Sequence, residues 1–212
     1  MKRKICLTIA LLTIVLLSVG SVLADISVGV KTGDWAEYHV EYTGTPPEGH
    51  NVIWAKMEIE NVQGKIVNAN VTVEFSNGTQ ATMTETWNLE TGQLGDDFII
   101  PTDLNKGDTF LDKTAGTIII SSVEEKTYAG ATRTIAHATT SVTSYYWDRA
   151  TGLLVEGDSE LPDYVMNTTI TETNIWQPQL FGLDAAVFYA MAIGAAVLIA
   201  VVVAVLVFRR KK

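Results

Sequence analysis

The 212-residue chain predicts an all-β domain, either an antiparallel sandwich or a strongly curved half-barrel, set between two hydrophobic ends. Three observations carry that expectation. Apolar and polar residues alternate with a period of two through most of residues 25–178. Gly, Pro and Asn clusters break the alternation at short intervals, and no part of the stretch has the 3.6-residue period of an amphipathic helix.

The first element is a secretory signal peptide over 1–24. Lys2, Arg3 and Lys4 precede an apolar run over 5–17, and small residues lead to Val22-Leu23-Ala24, with cleavage expected after Ala24. An uncleaved anchor is the alternative. Cys6, the single cysteine, would leave with the peptide, so disulfides, thiolate metal sites and a cysteine nucleophile are not expected in the mature chain.

The strands follow in order. Ala36, Tyr38, Val40 and Tyr42 oppose Glu37, His39 and Glu41; Ile53, Ala55, Met57 and Ile59 oppose Trp54, Lys56, Glu58 and Glu60. Ala69, Val71, Val73 and Phe75 repeat the pattern, as do Ala81, Met83, Trp87 and Leu89. Further strands are expected near 98–100, 117–123, 132–142, 145–147, 153–155 and 165–175. The turns carry Thr45-Pro46-Pro47-Glu48-Gly49, Ser76-Asn77-Gly78-Thr79 and Asn105-Lys106-Gly107-Asp108, residues that reverse a backbone cheaply.

After a short linker over 179–184 comes a 24-residue run over 185–208 without a charge, followed by a basic tail over 209–212. As a helix the run is about 36 Å long, enough for a hydrocarbon core of about 30 Å. The expectation is a single-pass transmembrane helix whose partner is the lipid bilayer. Arg209, Arg210, Lys211 and Lys212 place the carboxyl terminus in the cytoplasm and residues 25–178 outside the cell membrane. Ala192, Ala196, Ala200 and Ala204 recur every fourth residue, a small-residue face suited to a homo-oligomer or to pairing with another membrane protein.

All 24 acidic residues fall between Asp25 and Asp184, against 8 Lys and Arg there, so the outer part carries a formal charge of −16. Such a field repels nucleic acid, and no nucleic-acid partner is expected.

One motif occurs twice. Trp87-Asn88-Leu89-Glu90-Thr91-Gly92-Gln93-Leu94 aligns with Trp147-Asp148-Arg149-Ala150-Thr151-Gly152-Leu153-Leu154, and Gly33-Asp34 and Gly107-Asp108 precede the respective copies. The order suggests a duplicated β unit. Asn or Asp entering a tight loop bonds the amides ahead of it, and Gly closes the loop in the left-handed conformation, so both copies read as structural hairpins, with Arg149 on the surface.

The strand over 33–38 (Gly-Asp-Trp-Ala-Glu-Tyr), Leu104-Asn105-Lys106-Gly107-Asp108, the 146–154 hairpin and a basic-ended carboxyl-terminal span together resemble surface-anchored β proteins frequent in archaea, a group without an assigned activity. The hairpin alone is also similar to one in the lipoprotein-carrier, LolA-like half-barrels. That likeness implies a concave sheet able to hold acyl chains.

Candidate chemistry is sparse. Glu37, His39 and Glu41 share one strand face as a weak metal candidate, but neighbours there stand about 6.8 Å apart, too far for one ion without another strand. Asp96-Asp97 and Glu156-Gly157-Asp158-Ser159-Glu160 are acidic turns without the spacing of a calcium loop. His50 and His137 have no partnered nucleophile in the sequence, and no hydrolase, zinc or phosphate-loop motif occurs, so neither an enzyme nor a cofactor is expected. Asn70, Asn77 and Asn167 head sequons and are glycosylation candidates. Two functions fit: a membrane-anchored surface β domain serving as a binding or structural module of the envelope, or a carrier or accessory subunit holding a lipid or other apolar ligand in a curved sheet.

Overall fold

The computed structural model describes residues 26–47, 49–180 and 182–210 and, within these, every side chain except those of 202, 204–208 and 210. The signal peptide expected over 1–24 and the last two residues of the basic tail lie outside the described residues, as does the side chain of Ala204.

Thirteen strands and one helix are present among the described residues. They are β1 (Trp35–Gly44), β2 (Val52–Gln63), β3 (Ile66–Phe75), β4 (Gln80–Asn88), β5 (Thr109–Asp112), β6 (Gly116–Ile119), β7 (Ser122–Tyr128), β8 (Ala131–Thr139), β9 (Thr143–Asp148), β10 (Leu154–Glu160), β11 (Tyr164–Thr173), β12 (Gln179–Leu180), β13 (Leu183–Asp184) and α1 (Ala185–Arg210). Nine of the strands form one antiparallel sheet in the order β4-β3-β2-β1-β11-β10-β9-β8-β7. Two hairpin meanders thus meet where the first long strand pairs the last, from Ala36 opposite Thr173 to Gly44 opposite Tyr164.

The sheet curves. Strands β4 and β9 are six steps apart, about 29 Å across a flat sheet at 4.8 Å per strand. Yet Met83, Glu85 and Trp87 of β4 and Thr143 and Tyr145 of β9 border a single cavity of about 490 Å³. Tyr38 of β1 likewise reaches across β11 to donate its hydroxyl to the Leu154 carbonyl of β10 at 3.0 Å, inside the curve.

The alternation anticipated in the sequence sets the inner face: Ala36, Tyr38, Val40, Ala55, Met57, Ile59, Val67, Ala69 and Val73 are buried while their neighbours point out. Part of this face is covered by the β5–β6 hairpin and by the segment over 89–104. Leu94, Ile99, Ile100, Phe110, Ile118 and Ile120 are buried against the sheet. Residues 98–100, expected as a strand, form only one bridge, Ile99 to Leu153; the segment crosses the sheet instead of joining it. The strand expected over 117–123 is broken between Ile119 and Ser122, because Ile120 turns inward and exchanges backbone hydrogen bonds with the Gly107-Asp108 turn.

Both predicted repeats have matching local geometry. The Asn88 side chain accepts hydrogen bonds from the amides of Glu90 and Thr91, both at 3.1 Å, and Asp148 Oδ1 accepts from the Thr151 amide at 2.9 Å and its hydroxyl at 2.8 Å. Gly92 and Gly152 each have φ 71°. Upstream, Asp34 accepts from the Lys31 amide at 2.9 Å and Asp108 from the Asn105 amide at 2.7 Å, closing equivalent turns over Gly33 and Gly107. The likeness ends at these turns. Strand β1 is central in the large sheet, whereas β5 pairs only β6.

The expected linker over 179–184 is a tight hairpin, β12 on β13, tied to the sheet by the Gln179 amide on the Gly130 carbonyl at 2.7 Å. Helix α1 follows, and the helical conformation expected over 185–208 is present. Its side chains are described without a break only over 185–201, and among the described residues no helix is long and apolar enough to cross a membrane. Among the described residues, every buried residue of the hydrophobic core lies between Val30 and Trp176, so the core takes no described side chain from α1.

A Cβ at position 152 would lie 2.0 Å from the Ile100 carbonyl oxygen, whereas one at position 33 would meet open space. Gly152→Ala is expected to cost at least about 2 kcal/mol and Gly33→Ala about 1 kcal/mol, from its left-handed backbone alone, as read by urea unfolding.

Candidate functional site

The covering segment leaves part of the concave face open, and the cavity forms there. Its walls come from inward positions of seven strands: Val40, Ala55, Val71, Val73, Met83 and Leu154 among the apolar ones, with Phe98 contributed by the covering segment. At about 490 Å³ it falls within the range of small-molecule sites, about 300–1,000 Å³. Gly157 of β10 also faces it; a Cβ there would meet only the Leu154 side chain, at 3.8 Å, so the absent side chain contributes directly to the open volume.

Polar groups sit at defined places on this wall. Thr143 and Ser159, both buried, share a hydrogen bond of 3.0 Å between their hydroxyls. Glu85 occupies an inward position of β4 between Met83 and Trp87, where alternation alone calls for an apolar residue. Glu85 is missing from the apolar series Ala81, Met83, Trp87 and Leu89, and its place two residues from each inward neighbour is the sequence signal for its inward position. Asp96, His50 and Tyr145 complete the ionisable lining, which among the described residues contains no Lys or Arg.

Beside the cavity lies a second acidic feature. Asp97 is buried with φ 56°, and its Oδ1 has no hydrogen-bond partner; the same holds for Asp112 Oδ2. Asp112 Oδ1 accepts from the amides of Thr114, at 2.7 Å, and Ala115. The Asp97 carbonyl is also the acceptor for the indole of Trp147 at 2.7 Å, so the residue is held in place by the largest fully buried side chain among the described residues. Burial lifts the Asp97 carboxyl to about 7, and the neighbouring Asp112 and Asp96 carboxylates add to the rise.

The residues singled out in the sequence are dispersed. Glu37 is 3.6 Å from Lys56 Nζ, a half-buried pair, and His39 Nε2 is 3.4 Å from Glu41, an exposed one, on the outer face of β1. Among the described residues no group of three His, Cys, Asp or Glu side chains is placed to hold a metal ion. The acidic turn expected over 156–160 is strand β10: Glu156 accepts the Tyr128 hydroxyl and Asp158 the Asn167 amide on the outer face, while Gly157 and Ser159 face the cavity. His137 has hydroxyl neighbours that sequence spacing did not disclose, with Ser121 Oγ 3.0 Å from Nδ1. That Oγ also donates to the His137 carbonyl, and Nε2 faces Thr139, so the contact ties strand ends together.

Arg149, expected on the surface of its turn, instead donates to the carbonyls of Leu104 at 3.0 Å and Asp103 at 3.1 Å, fastening the covering segment to the hairpin. Asn77 is exposed in its turn and holds Thr79 through its side-chain oxygen, whereas Asn70 and Asn167 are half-buried and bonded to Glu60 and Asp158. Ala192, Ala196 and Ala200 are exposed along α1. No family model and no curated protein matches the chain.

A carboxyl whose folded pKa is raised stabilises the fold while protonated. Its contribution is complete below the unfolded value of about 4 and is lost as pH rises through about 7. Asp97→Asn, which tolerates the left-handed backbone, is expected to stabilise the protein at pH 8 by on the order of 1–3 kcal/mol and to leave it nearly unchanged at pH 4, as measured by thermal unfolding.

Proposed function

We propose that this chain is a membrane-anchored surface protein whose half-barrel sheet holds an apolar ligand against its concave face, as a carrier or accessory subunit of the envelope. The observation that carries the reading is the cavity of about 490 Å³, walled by inward aliphatic and aromatic side chains from both halves of a single curved sheet. An all-β domain with a purely structural role gains by filling its core, since each unfilled volume forfeits dispersion contacts. Here Gly157 stands where a larger residue would fit without backbone strain. The likeness of the 146–154 hairpin to lipoprotein-carrier half-barrels points the same way.

The anchor is part of the proposal. Helix α1 has 26 residues, about 39 Å of rise, and its sequence over 185–208 is uncharged. Its described apolar side chains are exposed on all sides, from Tyr189 and Met191 to Ile199 and Val203, an arrangement unfavourable in water and natural in lipid. Aromatic Phe188 and Tyr189 near one end and the cluster starting at Arg209 near the other suit the two interfaces, with the cations inside. The β domain, with its sequons and its charge of −16, then lies outside the cell.

Residues 25–184, purified without α1, are expected to carry a co-purified apolar compound in native mass spectrometry. Gly157→Val is expected to lower its occupancy about tenfold with an unchanged or higher melting temperature; recovery of ligand-free protein that also binds no hydrophobic fluorophore would count against the proposal. For the anchor, Ala196→Leu with Ala200→Leu is expected to reduce self-association in a membrane reporter assay, and equal association would rule out the small-residue face.

A further inference from the structure

We infer that the cavity is built for an amphiphile whose polar end is positively charged; the inference rests on the apolar-ligand reading above and adds the chemistry of the head group. Among the described residues the ionisable side chains on the lining are Glu85, Asp96, His50 and Tyr145, and none of them is a Lys or Arg. Glu85 is the informative one. It stands on the inner face of β4 between Met83 and Trp87, and no side chain among the described residues forms a hydrogen bond or ion pair with it.

A carboxylate on an apolar wall loses hydration, and a cation recovers more of that loss than a neutral group does. Asp96, exposed on the covering segment, lies on the same cavity, and buried Asp97 follows it directly. An acyl carboxylate or phosphate entering here would meet like charge at both positions, with no Lys or Arg among the described lining residues to offset it. The field of the surrounding domain has the same sign, which concentrates cations at the site and depletes anions.

The apolar portion of such a ligand would lie along Val40, Val71, Val73 and Phe98. Its head would sit at Glu85 and Asp96. A protonated long-chain amine has this form.

The test uses residues 25–184, which hold every buried core residue among the described ones. Dodecylamine, dodecanol and dodecanoate are titrated below their aggregation limits at pH 7, with the fluorescence of Trp87 in the cavity wall and calorimetry as readouts. The expected order is amine, then alcohol, then carboxylate, with about tenfold or more between the first and last. The isosteric double variant Glu85→Gln, Asp96→Asn should bring the amine to the affinity of the alcohol. Glu124→Gln, on the outer face of β7 against Lys126, should leave the order intact and so separates local recognition from the general field.

Equal binding of all three overturns the charge selection while leaving the apolar cavity standing. Binding of none overturns both. An amine preference that survives the double variant overturns the assignment to these two carboxylates.

Discussion

An open sheet with one apolar concave face and too little material to cover it is the constraint on which the rest of this molecule depends. Nine strands in a single layer turn their inward residues toward a common interior, and among the described residues the second layer is mainly the β5–β6 hairpin and one crossing segment. Where these reach, the interior is densely packed: Trp147 is fully buried, edge-on to Phe110 with 5.6 Å between ring centroids and stacked on Tyr145 at 5.2 Å. Where they do not reach, space remains.

Keeping the crossing segment in place falls to the 146–154 hairpin. Asp148, almost wholly buried, caps its own turn and receives a two-point ion pair from Arg133, with Nε 2.8 Å from Oδ2 and Nη2 3.1 Å from Oδ1. Paired twice and bonded to the backbone, it meets the condition under which a buried charge is tolerable. Arg133 in turn stacks on Trp176, at 4.8 Å, just before the chain leaves for the helix. The adjacent Trp147 and Arg149 hold the carbonyls of Asp97, Asp103 and Leu104. The turn is therefore a fastening for the cover.

Much of this was legible in the sequence. Long strands such as β1 to β4 declare themselves because alternation persists for nine or more residues, and the paired Trp-Asx-Thr-Gly turns because their hydrogen bonds are local. The cavity was not legible, since it arises from curvature that joins β4 to β9 across the five strands between them, and no local pattern encodes that distance. Residues 98–100 have the composition of a strand but lack a free neighbouring edge, so tertiary packing prevailed over propensity. Glu85 was hidden for the opposite reason: it obeys the strand period and violates only polarity. Arg149 sits in a surface turn by sequence, and only the crossing segment gives it acceptors.

Strand β1 also has a direction. Its start, at Trp35, lies beside the end of β11, where the chain proceeds through Trp176 to the hairpin preceding α1. Its other end leads into Gly49 and His50, which border the cavity. Ten residues of extended chain separate the two, about 33 Å. If the helix is seated in a bilayer, the His50 side of the receptacle faces outward, toward whatever surrounds the cell. The lining runs the length of that strand, since by pairing register Met83 shares a row with Ala36 at one end and Ser159 with Tyr42 at the other, so such a seat would set one end of the receptacle near the leaflet and the other away from it.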